Sequence, residues 1–180
     1  MAVSHGELVV GYLDDVYIVT PPHRALAAYN LVTQTIADTC GVLPNLGKTV
    51  VWNKAGVEPA GVAELGDSVW RGGGPQAGIR VLGTPFGSAA YVDGFGQALV
   101  DRASNLFEKA SRLPQLQHTW LLFYFCVVPK LNHLLRQLPP ELSANTATAF
   151  EQLTANSLAW LLYTSPSPRD RTRSRMPSSA

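Results

Sequence analysis

Leu8-Val9-Val10-Gly11-Tyr12-Leu13-Asp14-Asp15-Val16-Tyr17-Ile18-Val19 is the stretch on which the reading of this chain turns. Val, Ile and Tyr favour strands, and an Asp-Asp pair between two such runs favours a tight turn. The pattern predicts a β-hairpin with two acids at its tip. Apolar residues on both flanks predict that the hairpin is part of the core. Two carboxylates held side by side on a stiff hairpin suit hard divalent cations such as Mg2+, which take oxygen ligands. Paired cations of that kind serve in-line phosphoryl transfer. The competing reading of an Asp-Asp pair is solvated turn chemistry.

Outward from the hairpin, Thr20-Pro21-Pro22 predicts a helix start, with Thr20 as N-cap and proline in the first turn. Ala25, Ala28, Tyr29, Val32, Ile36 and Cys40 share one helical face, expected to pack on the sheet that carries the acids. Gly41 is placed to stop that helix. Asn45-Leu46-Gly47-Lys48-Thr49 follows and leads into a strand-like Val50-Val51-Trp52. Gly41 to Thr49 superficially matches a phosphate-binding P-loop, but five residues separate Gly41 from Gly47 where the motif has four. The context is also reversed, with a helix before and a strand after.

Tyr12-Leu13-Asp14-Asp15 resembles the aromatic-x-Asp-Asp signature of reverse transcriptases, carried on a palm hairpin. In the non-LTR retroelement enzymes a helix and an Asn-x-x-Lys-Thr segment come next, and Asn45 to Thr49 is similar to it in content and order. The resemblance implies an RNA-directed DNA polymerase working on an RNA template, a DNA primer and dNTPs. It implies Asp14 and Asp15 as ligands of Mg2+ (or Mn2+), Asp14 the stronger. It places Lys48 beside the nucleotide phosphates as an acid toward pyrophosphate, against the plainer reading of a solvated turn lysine. Tyr12 and Asn45 fall at nucleic-acid contacts. Leu82-Gly83, within the strand-and-turn Ile79 to Pro85, resembles the primer grip, which puts Gly83 near a primer strand; an ordinary turn glycine is the alternative.

The family pattern also has a third aspartate on an earlier palm strand. Thirteen residues precede Asp14, the one acid among them being Glu7, which lies in the same predicted strand. The chain is therefore expected to be a C-terminal palm-and-thumb fragment, inactive alone. A non-catalytic remnant with weak nucleic-acid binding or a scaffold role is the alternative.

The expected fold class is α+β: a partial palm over 1–90, a helical thumb-like region over 91–163 and a disordered tail over 164–180. Residues 53–77, rich in Gly, Ala and Pro, predict a long loop in which Val69-Trp70-Arg71-Gly72 supplies an anchoring aromatic. Helices are predicted over about 96–113, 116–138 with a kink at Pro129, and 140–162. Trp120, Leu121, Phe123, Tyr124, Val127 and Leu131 are expected to supply most of the bulky core, and the last helix carries Leu142, Phe150, Leu153, Leu158 and Trp160. Any helical bundle would share this pattern.

At 180 residues, 46% apolar and 15% charged, the chain is long and apolar enough for one ordinary core. The charge of +1 is uneven, since 165–180 holds Arg169, Arg171, Arg173 and Arg175 against Asp170. Taking those from 14 basic and 13 acidic residues leaves 10 and 12, a body of −2. That argues against an autonomous nucleic-acid-binding module. The Ser/Pro/Arg-rich tail resembles translated adapter or vector sequence and is set aside from the fold. Cys40 and Cys126 form no metal pattern and are expected as buried, reduced thiols in an intracellular protein without a signal peptide. The apolar run Trp120 to Val128 is far short of the ~20 residues that span a membrane, so no membrane partner is expected. Oligomeric state is left open.

Overall fold

Two backbone periodicities divide the chain, strand-like runs early and helical ones late. A computed structural model describes residues 6–163; the predicted tail falls outside them. The architecture is α+β, with helices and two small antiparallel sheets. Two compact units divide it, one running through Tyr91 and one from Val92.

The first unit begins with hairpin β1 (Leu8–Tyr12) and β2 (Asp15–Val19). The hairpin is not the core element its apolar flanks predict. Every residue of β1 is exposed, and in β2 only Tyr17 and Ile18 are half-buried. Apolar content shows that a strand tends to be covered, but tertiary contacts supply the cover, and these two strands pair only with each other.

A short 3-10 turn, Pro22–Arg24, leads into α1 (Ala25–Cys40). Thr20 does not cap it: its hydroxyl donates to Glu7 Oε1 at 2.6 Å instead. A cap would accept from backbone N–H groups, but the N-cap positions fall at Pro21 for the 3-10 turn and Arg24 for α1, and Thr20 is held by a charge-assisted bond to a buried carboxylate. Gly41 ends the helix as predicted, left-handed at φ 68° with its N–H on the Ala37 carbonyl. Along α1 only Ala28 and Val32 are buried, and Cys40 is exposed, contrary to expectation.

The long loop has internal order. Val51 N–H donates to the Val69 carbonyl, and Arg71 N–H donates to the Val51 carbonyl. The predicted strand Val50 to Trp52 is thus a single parallel bridge between Val51 and Trp70. Val69, not the adjacent tryptophan, is the deeply buried anchor at 1% exposure. Hairpin β3 (Gly78–Val81) and β4 (Thr84–Gly87) closes the unit. The expected strand was there; the returning one was hidden by Pro85, which is tolerated on a sheet of two edges.

Helix α2 (Ala89–Ser111) starts seven residues earlier than predicted. Ser88 caps it, accepting from Tyr91 N–H at 3.1 Å while donating to the Pro75 carbonyl. Gly94 and Gly96 disguise this start. Gly96 is buried because a Cβ there would lie 1.9 Å from Thr146 Oγ1, so the glycine allows a close helix approach.

The predicted single helix over 116–138 is four pieces: α3 (Leu116–Leu122), a π turn (Phe123–Val127), a 3-10 turn (Val128–Leu131) and α4 (Asn132–Gln137). Pro129 offers no N–H and clashes with the carbonyl four residues back, and widening then tightening the spiral relieves both. Helix α5 (Pro140–Tyr163) completes the second unit. Its core joins Val100, Ala103, Phe123, Val127, Leu131, Leu134, Phe150 and Leu161. Phe107 meets Phe123 and Trp160 edge-on at 5.5 and 5.8 Å. Three residues expected inside, Trp120, Leu121 and Tyr124, are exposed instead, as is Cys126. The buried stripe is Thr119, Phe123, Val127, Leu131 and Leu134, which a bulky-residue reading without spacing does not resolve. No helix among the described residues is long and apolar enough to cross a membrane.

Candidate functional site

The register of the first hairpin pairs Leu8 with Val19 and Tyr12 with Asp15, so its turn is two residues, Leu13 and Asp14. Asp14 therefore stands at the tip and Asp15 opens β2. Both acids are exposed. Leu13, at φ 56°, is 91% exposed. Tyr12, opposite Asp15, is 54% exposed.

Residues two apart on a strand share a face, and Tyr17 sits on the face of Asp15. Its hydroxyl donates to Asp15 Oδ2 at 3.1 Å. The same phenol interacts with the Leu82 backbone and the Arg80 guanidinium. Burial chiefly pushes its pKa up and Asp15 adds to that, while the Leu82 backbone and Arg80 oppose it. The second hairpin turns at Leu82 and Gly83, with φ 49° and 85°. Two left-handed residues in succession are the mark of a type I′ turn, whose twist matches its strands. Gly83 is exposed at that tip. Tyr17 thus couples the Asp14-Asp15 hairpin electrostatically to Leu82 and Arg80 of the second hairpin.

Asn45 to Thr49 is a single turn of chain. The Asn45 carbonyl accepts from Lys48 N–H and Thr49 N–H at 3.0 Å each and from Thr49 Oγ1 at 3.1 Å. Those amides face inward, so they do not form the outward cradle a P-loop requires, and no helix follows. Lys48 and Asn45 are exposed. No hydrogen bond or ion pair joins either side chain to the Asp14-Asp15 hairpin among the described residues.

Glu7, the remaining acid near the hairpin, is engaged elsewhere. Its side chain, 3% exposed, accepts from Thr20 and pairs with Arg24 through Nε at 2.7 Å and Nη2 at 3.3 Å. The hydrogen bond and charge of Glu7 hold the Arg24 pKa above its ordinary value. This trio fastens the base of the hairpin to the start of α1. Sequence reading missed it because the partners are 13 and 17 residues apart. Tyr17 was also missed, although the two-residue spacing from Asp15 was available to find it.

Among the described residues no three of His, Cys, Asp and Glu gather as a metal-binding group. The chemistry of the donor pair still fits Mg2+, which is commonly held by one or two carboxylates with water and substrate phosphates completing the shell. Asp14 and Asp15 would hold it. Compared with known proteins, the chain matches no family model, no curated protein and no solved structure.

Proposed function

We propose that this chain is the C-terminal palm-and-thumb part of an RNA-directed DNA polymerase of the non-LTR retroelement type. The reading rests on one observation above the rest. Tyr17, donating to Asp15 and in electrostatic contact with the Leu82 backbone, couples the acidic hairpin to the turn that holds Leu82 and Gly83. These are the two segments that the resemblance assigns to the metal and to the primer. In this reading Asp14 and Asp15 hold Mg2+ or Mn2+, whose Lewis acidity stabilises charge on the transferring phosphate. Lys48 donates a proton toward the pyrophosphate leaving group. Tyr12, Asn45 and the Gly83 backbone face template, primer or nucleotide.

The test is primer extension on an RNA template. The chain alone is expected to add no nucleotides. Joined to the reading frame that precedes it, it is expected to extend the primer, and Asp14→Ala should lower the rate at least about a hundredfold. Equal extension by that variant and its parent overturns the reading. A non-catalytic remnant is the second reading, favoured by the engagement of Glu7 with Arg24 and Thr20, which keeps that carboxylate from completing a metal site.

A further inference from the structure

We infer that Tyr17 is a positioning residue for Asp15: its hydroxyl fixes one carboxylate oxygen and leaves the other open to a divalent cation. The cation in this statement rests on the polymerase reading above; the pairing itself does not.

Asp15 is exposed on a two-stranded hairpin, an element of marginal stability, and a solvated carboxylate there would ordinarily sample several rotamers. The 3.1 Å bond from Tyr17 removes that freedom. No other hydrogen bond reaches the Asp15 side chain among the described residues, so Oδ1 remains available. Tyr17 is itself steadied, half-buried and in electrostatic contact with the Leu82 backbone and Arg80. A long, rigid phenol therefore transmits the position of one hairpin to the acid of the other. Asp14, at the turn, has no such tether among the hydrogen bonds of the described residues. The two neighbouring carboxylates consequently differ, one held and one free to follow a ligand.

The test uses the chain as it is, by solution NMR. Hα–Hβ couplings of Asp15 are expected to report a single rotamer in the wild-type chain and averaged values in Tyr17→Phe. Averaged couplings in the wild type overturn the inference without any variant. Titrated Mn2+ should broaden the Asp14 and Asp15 amides, and Tyr17→Phe should need about three- to tenfold more Mn2+ for the same broadening. Unchanged amide positions across α1 and around the Val51–Trp70 bridge, in the same unit as Tyr17, show that this variant keeps its fold. Equal Mn2+ requirement in wild type and Tyr17→Phe overturns the positioning role. Broadening that survives both Asp14→Asn and Asp15→Asn instead removes the metal reading, while the couplings still judge the Tyr17–Asp15 pairing.

Discussion

Leu13 holds a backbone angle that its side chain resists. At φ 56° a branched residue is crowded against its own carbonyl, at a cost of about 1–2 kcal/mol. Its side chain, 91% exposed, recovers little by packing. Leu13→Gly is expected to stabilise the first unit by about 1 kcal/mol, measured as a higher urea midpoint at constant slope. Tyr17 makes a second prediction at this scale. Its pKa is raised above 10.0, so below pH 10 folded and unfolded chains both keep the proton. Between that value and the higher folded one, the unfolded chain releases it and the folded chain does not, so rising pH favours unfolding. The thermal midpoint should fall more steeply above pH 10 in wild type than in Tyr17→Phe. Spacing on the strand makes the Asp15–Tyr17 pair readable from sequence; its contact with Leu82, some 65 residues onward, is not.

Elements show where local rules suffice and where they fail. Gly41 ends α1 as a left-handed glycine should, because that preference is carried by the residue itself. Thr20 fails as a cap because α1 starts beyond it, with Arg24 at the N-cap position, and its hydroxyl is tied to Glu7 from before the hairpin. Pro129 announces a break, but the resolution of that break into a π turn and a 3-10 turn depends on keeping Phe123, Val127 and Leu131 in the core. Phe123, 1% exposed, is the more deeply buried of the two phenylalanines there, and Phe123→Ala should cost about 3–5 kcal/mol in chemical denaturation. Thr119, 1% exposed, donates to the Ala110 carbonyl at 2.9 Å, a second bond beside the one that carbonyl accepts from Leu113 N–H at 3.1 Å. Thr119→Val keeps the shape and removes this one bond while the Leu113 N–H still serves the carbonyl, for an expected loss of about 0.5–1.5 kcal/mol in the same measurement.

For the molecule as a whole, the distribution of covered apolar surface is the telling property. The clustered core lies entirely in the second unit, while Leu8, Val10, Tyr12, Val16 and Val19 of the first hairpin stay exposed on strands that each keep one unpaired edge among the described residues. Exposed apolar edges invite strand pairing between chains. Sedimentation of the isolated chain should therefore show association that grows with concentration, and Val9→Lys with Val19→Lys should suppress it. Sequence by itself determined what depends on neighbours along the chain: the hairpin around Asp14-Asp15, the stop at Gly41, the turn at Leu82-Gly83 and the long helical run after it. Only the tertiary structure decided which apolar residues are covered, which hydroxyl Glu7 accepts, and that Tyr17 joins the acids to the second turn. Turns and periods are set by backbone geometry over a few residues, whereas burial and hydrogen-bond choice are competitions among groups that sequence does not place side by side.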